Sequence, residues 1–440
     1  MVDLTAKPFH LDEEGVRWVR DTIAGMTEEE KIGQLFVNMG SSRDEAYLAD
    51  MVNRYHIGAV RYQPGPAAEI REQNRVLQHY SKIPMLIAAN TESGGNGACT
   101  DGTYVGHEVK IAATGDPRYA YELGRISDVD QTIELSLEYM RGIQESGIAP
   151  AAKHFPGDGI DERDQHLSSA PNWLSCEEWD ETFGKVYSAL IEAGLPSIMA
   201  GHIGLPSYQK HFNPDMAADE ILPATLSKEL ITDLLRGKLG FNGLVVTDAS
   251  HMVGLTGAMK RSKLLPTSIA AGCDLFLFFN DPDEDFAWMM EGFRSGTITE
   301  ERLQEALERI LGTKAALGLH TKAKDEILPP KDESMARIKL PENVAVAHAM
   351  HGGAPHPAAA LGALLAKRGY DVTVHELPVI FVSTACPHQL ADVPQVKTYI
   401  NNYDDKPFTL EALVEKLEGR SEFTGVSSTD AFCGLADTRV

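Results

Sequence analysis

Short apolar runs and amphipathic stretches alternate along the first 280 residues. Runs of four to eight apolar residues bounded by turn signals read as buried strands. Seven such runs stand at IGQLFVNM (32–39), IGAVRY (57–62), PMLIAAN (84–90), GIAPAAKHF (147–155), LPSIMAGHI (195–203), GLVVTDAS (243–250) and CDLFLFF (273–279). Between them lie AAEIREQNRVLQHY, SCEEWDETFGKVYSALIEAG and LSKELITDLLRGKLG, whose apolar positions recur at helical spacing. Repeated strand–helix units predict a parallel sheet covered by helices. Eight such units would make a (β/α)8 barrel.

The pattern falls one strand short. PMLIAAN and GIAPAAKHF are separated by 56 residues, room for two strand–helix units. Yet DPRYAYELGR and QTIELSLEYMRGIQE both read as helix, and only ISDVD separates them. The predicted fold is therefore an α/β, TIM-like barrel lacking one strand–helix segment. A missing strand leaves two open edges or forces closure on seven strands.

Beyond the barrel pattern, TEERLQEALERILGTKAALGL (299–319) predicts a long helix that closes the domain. The barrel domain is expected over 1–322. KAKDEILPPKDES opens a polar, Pro-containing linker expected over 323–340. NVAVAHAM, a helix at PAAALGALLAKRG, strands at YDVTVHE and PVIFVSTA, and a helix at TLEALVEKLEG predict a small, sandwich-like α/β domain over 341–440.

Charge narrows the partners. The 440 residues carry a formal net charge of −24, and no basic patch is visible, so nucleic acid and anionic membranes are poor partners. No run reaches about 18 apolar residues, and the charged opening MVDLTAKPFHLDEEG has no apolar signal core. Five scattered cysteines without a CxxC pair suggest neither a disulfide framework nor a zinc site, which fits a reducing cytoplasm. No cofactor is expected, and a homodimer is left open.

Barrel enzymes carry their chemistry at the C-terminal ends of the strands. Here Asn90 and Glu92 follow the third run, Lys153 and His154 end the fourth, His202 the fifth and Asp248 the sixth. Asp248 follows four apolar residues in GLVVTDAS, at the rim of the expected barrel. A carboxylate there can attack an electrophilic carbon, stabilise a cation or bind a metal. Metal binding is the weaker option, because no HxH or DxD spacing stands at a strand end. The loop after the fourth strand, KHFPGDGIDERDQH, holds Asp164 and His166 at i, i+2 spacing. In extended chain the two side chains point to one side, and a carboxylate beside imidazole suits general acid–base work. Asp158, Asp161 and Glu162 read as solvated loop acids.

The order KHFPGDG…DQH, GHIGLP, LGFNGLVVTDAS resembles glycoside hydrolase family 3, in particular its β-N-acetylglucosaminidase branch. The resemblance runs through most of residues 10–320. It implies Asp248 as nucleophile, His166 as general acid/base and Asp164 as its orienting carboxylate. It implies Lys153 and His154 as contacts to sugar hydroxyls, with Met199 and His202 in a motif near the pocket. The implied activity is retaining hydrolysis of terminal β-linked N-acetylglucosamine from small glycosides, muropeptide fragments or chitooligosaccharides. Some members of this branch use phosphate and act as phosphorylases, and a weakened sugar-binding remnant is the further alternative.

The chain departs from the family pattern at three places. A strand reading like FAPVVDI and the loop that supplies an arginine to the sugar are missing after LGRIS. The family's sugar-binding aspartate after the third strand aligns with Asn90, which keeps hydrogen bonding and loses charge. The C-terminal domain is shortened between YDVTVHE and LPVIFVS.

Overall fold

The computed structural model describes residues 2–105, 129–161, 163–345, 380–383, 398–401, 413–417 and 420. All seven expected strands form, each shorter than its apolar run. They are β1 (Phe36–Asn38), β2 (Ala59–Arg61), β3 (Leu86–Ala88), β4 (Ala151–Phe155), β5 (Ser197–Ala200), β6 (Leu244–Ala249) and β7 (Leu275–Leu277). They make one parallel sheet in the order β3-β2-β1-β7-β6-β5-β4. The first and last strands in the sequence of the barrel, β1 and β7, are neighbours, as in a closed barrel. The seam lies instead between β3 and β4, which pair with only one partner each among the described residues. That is where the sequence falls one strand short.

The edges look different from the middle. The inner strands β1 and β7 are buried at every residue. In β3, Ile87 is 41% exposed. In β4, Ala151 and Lys153 are exposed while Ala152 and His154 are half-buried. A strand with neighbours on both sides and helices behind it is covered; an edge strand is not.

Helices follow the apolar spacing and are stopped by local chemistry. The Asp12 side chain accepts from the Gly15 amide to start the helix Glu13–Ala24. Thr27 and Glu30 cap one another's amides at Glu28–Gly33. Helix Glu300–Ala316 starts on Thr299 and buries Leu303, Leu307, Ile310 and Leu311 in the barrel core. The expected strand IGQLFVNM is shortened because its first residues complete the helix Glu28–Gly33.

Two compact units can be distinguished. The first comprises Met1–Gln63, Ala68–Ala89 and Ile143–Lys331, and holds the seven strands. The second comprises Pro64–Ala67, Asn90–Gly142 and Asp332–Val440. In the second unit β8 (Ile380–Ser383) pairs in parallel with β9 (Thr398–Asn401). The former lies in the expected strand PVIFVSTA; the latter was not expected as a strand. Val129–Glu145 forms the expected helix around QTIELSLEYMRGIQE. The expected helices DPRYAYELGR and PAAALGALLAKRG and the strand YDVTVHE lie outside the described residues. Among the described residues no helix is long and apolar enough to cross a membrane.

Candidate active site

Chemistry gathers at the C-terminal ends of three adjacent strands, β4, β5 and β6. Strand pairing is irregular at two places there. The β4–β5 register shifts between Ala152 and Phe155, a stretch that contains Lys153 and His154. The β6–β7 register shifts between Val246 and Ala249, a stretch that contains Thr247 and Asp248. An irregularity of this kind releases backbone from the ladder and re-aims side chains. At β6 the Thr247 hydroxyl oxygen accepts from the Leu277 amide at 2.9 Å, in place of a strand carbonyl.

Asp248 is largely buried, its side chain 13% exposed. Its Oδ1 accepts from the Ala249 amide at 2.7 Å. Its Oδ2 lies 3.5 Å from Nε2 of His154. On the other side of that ring, Nδ1 lies 3.3 Å from Oδ2 of Asp158, without hydrogen-bond alignment. His154 thus stands between two carboxylates. Lys153, its neighbour in β4, is exposed.

The loop after β4 turns at Gly157, whose φ of +134° and proximity to Phe183 leave no room for a Cβ. The indole of Trp179 donates to the Pro156 carbonyl at 2.7 Å, and Asn172, fully enclosed, donates to the Gly157 carbonyl at 3.2 Å. Asp164 and His166 pair as expected, with Nδ1 of the ring 2.7 Å from Oδ1 of the carboxylate. The geometry that brings them together is a turn, not the extended chain expected. The amides of Leu167 and Ser168 both donate to the Asp164 carbonyl. The same Asp164 Oδ1 accepts from the His166 amide at 2.8 Å. That backbone bond, with the ring contact second, holds the Asp164 carboxyl below its ordinary range. The carboxylate therefore stays ionised and fixes the ring with Nε2 pointing away. Both side chains are more than half exposed.

Two of the loop acids are not simply solvated. Asp158 is half-buried and accepts from the Gln165 side chain at 3.0 Å. Asp161 accepts two bonds from the Arg163 guanidinium, which hold its carboxyl well below the usual range. Glu162 lies outside the described residues.

His202 is fully buried, and both of its ring nitrogens are engaged inside the protein. Nε2 lies 3.0 Å from the Ala249 carbonyl and Nδ1 lies 2.9 Å from the Thr225 hydroxyl. Burial lowers its pKa, against the pull of nearby Asp248. A neutral ring facing a carbonyl carries its proton on Nε2, so Nδ1 accepts from Thr225. His202 ties the end of β5 to the end of β6 and does not present a donor outward. Met199, in β5, is half-buried and packs on the core. Asn90 belongs to the second unit, where its exposed amide donates to Glu92 at 3.4 Å.

The structure also supplies residues that the spacing did not single out. Gln165, Trp179, Asn172 and Thr225 hold the loops. Arg261 makes two bonds to fully buried Asp285 and donates to the carbonyls of Ser250 and Phe278, clamping the turns after β6 and β7. A single arginine at the first position of the helix Arg261–Ala271 gives no sign of such reach.

Comparison with known proteins supports the resemblance. The Glycosyl hydrolase family 3 N terminal domain matches residues 126–313. A protein of Cellulomonas fimi named beta-N-acetylglucosaminidase/beta-glucosidase is 36% identical in an alignment that covers the whole of both chains. The chain belongs to glycoside hydrolase family 3. This family 3 chain is the shorter of the two: the alignment runs over 565 positions against 440 residues, so 125 positions hold no residue of this chain. A protein of Chromobacterium violaceum named beta-hexosaminidase is 28% identical over 43% of this chain and 49% of its own length. The solved structure of a beta-glucoside phosphorylase, BglX, bound to 2FGlc, is 32% identical and covers 98% of this chain and 99% of its own, with a TM-score of 0.90. A Paenibacillus beta-N-acetylglucosaminidase of the family shares the fold at 19% identity, covering 92% of this chain and 99% of its own, with a TM-score of 0.77.

Proposed function

We propose that this family 3 enzyme is a retaining glycosidase that removes terminal β-linked N-acetylglucosamine from small glycosides such as muropeptide fragments or chitooligosaccharides. The observation that carries the reading is the pairing of Asp164 with His166 in the loop above a strand end that bears a buried carboxylate, Asp248. Asp248 attacks the anomeric carbon and forms a glycosyl ester while His166 gives a proton to the leaving oxygen. His166 then takes a proton from water, whose attack releases the sugar and restores Asp248. Asp164 holds the ring in the tautomer that both steps need. Lys153 and His154 bind sugar hydroxyls, and His154 also keeps Asp248 in place. Met199, half-buried in β5, adds a further substrate contact. Two carboxyl groups do this work in most glycosidases; here one is replaced by carboxylate plus imidazole.

An aryl β-N-acetylglucosaminide tests the reading. Wild type is expected to release the phenol, and Asp248→Asn to lose at least about 10³-fold in turnover. No release by wild type, or undiminished release by the variant, overturns it.

A phosphorylase is the second reading, favoured by the likeness to BglX. An imidazole that has given up its proton is neutral, whereas a carboxylate in the same role is anionic and repels phosphate. Adding inorganic phosphate and looking for sugar 1-phosphate separates the two readings.

A further inference from the structure

The residue between Asp164 and His166 is the most firmly held part of the loop. Its neighbours point outward, yet Gln165 is only 4% exposed. Its amide nitrogen donates to Asp158 Oδ2 at 3.0 Å, and its amide oxygen accepts from the His202 amide at 2.8 Å. Its backbone carbonyl accepts from the Gly254 amide at 3.0 Å, and the next carbonyl, of His166, accepts from Val253 at 3.2 Å. The turn therefore rests on three supports: the start of its own loop, the end of β5, and the segment after β6.

We propose that Gln165 is a positioning residue that locks the acid/base loop against these supports and so fixes where His166 stands relative to Asp248. The inference rests on the reading of His166 as acid/base given above.

The chemistry of the side chain fits the task closely. The position needs a donor toward a carboxylate and an acceptor toward an amide, with both ends out of water. A carboxamide of this length offers both. Glutamate would set a second carboxylate against Asp158, and an apolar side chain would leave the Asp158 oxygen and the His202 amide without these bonds.

The support after β6 has its own requirement. A Cβ on Gly254 would lie 2.8 Å from the Gln165 carbonyl oxygen, 3.1 Å from the Ser168 carbonyl oxygen and 3.1 Å from Cβ of His202. Two of these atoms are backbone, so they cannot rotate away. Glycine is what lets the turn settle to hydrogen-bonding distance.

The lock is continuous with the nucleophile. The Asp158 oxygen that accepts from Gln165 also lies 3.3 Å from Nδ1 of His154, whose Nε2 lies 3.5 Å from Asp248. One run of polar contacts thus links the strand-end carboxylate to the loop that bears the acid.

The test uses Gln165→Met, which keeps the side chain's length and removes both polar contacts, and Gln165→Ala beside it. Each is measured with aryl β-N-acetylglucosaminides of graded phenol acidity, read as kcat/KM. Departure of an acidic phenol needs no proton, so only the poor leaving groups depend on a well-placed acid. The variants are expected to lose about 10²-fold on the least acidic phenol and less than about 3-fold on the most acidic one. An equal loss across the series is what a merely structural role gives, and it overturns the inference. Amide exchange in the same proteins gives a readout independent of turnover. Val253 and Gly254 are expected to exchange at least about 10-fold faster in the variants, and unchanged protection also overturns the inference. Wild type that turns over none of the aryl glycosides rejects the glycosidase reading instead, and exchange then decides the docking by itself.

Discussion

Lys314 is fully buried in the helix Glu300–Ala316, and its ammonium reaches Gln34 at 2.7 Å. That partner is neutral, and its own amide donates to the His56 carbonyl. Burial pushes the lysine pKa from 10.5 down to about 7. Above the folded pKa the native protein holds the lysine neutral while the unfolded chain still binds the proton. Stability from this group therefore rises as pH climbs from about 7 toward 10.5. Below about pH 7 both states are protonated and the full cost of a buried ammonium is present. Lys314→Met is expected to be more stable than wild type by about 1–3 kcal/mol at pH 6, part of the gain being lost to the unpaired Gln34 oxygen. Its advantage should disappear toward pH 10; urea titrations of both proteins at the two pH values check this. At the same scale, Asp248, Asp164 and His166 stand out in the sequence because strand ends and i, i+2 spacing mark them. Gln165 and His202 do not, because their partners are distant in sequence: Gln165 bonds the residue 37 positions on, and His202 bonds Thr225 and Ala249.

At the scale of elements, the apolar runs located every strand of the seven-stranded sheet, though not β9, because a strand buried under helices must be apolar on both faces. They overstated the lengths, because flanking apolar residues also fill helix ends and loops. Ile203 is an example, buried but beyond the end of β5. The two register shifts at β4 and β6 left no sign in the pattern, since an irregular pair is set by what the neighbouring strand offers. Clamps between elements are equally silent. Arg261 supplies the main charge opposite fully buried Asp285, whose Oδ2 also accepts from the Asn280 amide. Arg261→Ala is expected to cost about 3–5 kcal/mol, because it leaves a buried carboxylate without its cation. Arg261→Lys should recover only part of this, since one ammonium cannot replace a two-pronged contact and also reach both carbonyls. Thermal melts of the three proteins order them. Gly254→Ala belongs to the same scale: its added methyl meets backbone oxygen, so a loss of about 1–3 kcal/mol is expected. Faster exchange of the Ser168 amide should accompany it.

For the molecule as a whole, the missing strand was legible as a deficit in a count, and the sheet order shows where the seam falls. The count could not say whether seven strands would close. The described residues leave β3 and β4 as edges, with Ile87 exposed on one and Ala151 and Lys153 on the other. Backbone amides on an unpaired edge lack the protection of a ladder. Those of β3 and β4 are expected to exchange faster than those of β1 and β7, and hydrogen exchange resolved by residue measures it. Equal protection on all four strands would show that the edges are covered.

The order of the strands also bears on what such a chain can do without. Asp248 and His154 are set by β4, β5, β6 and β7, four strands consecutive both in sequence and in the sheet. The seam lies beyond the last of them. A segment missing there lies at the margin of this half of the sheet and cuts none of the ladders within it. A chain can thus be shorter at this seam and still keep intact the strands that hold Asp248 beside His154, so that a reduced barrel need not be a broken one.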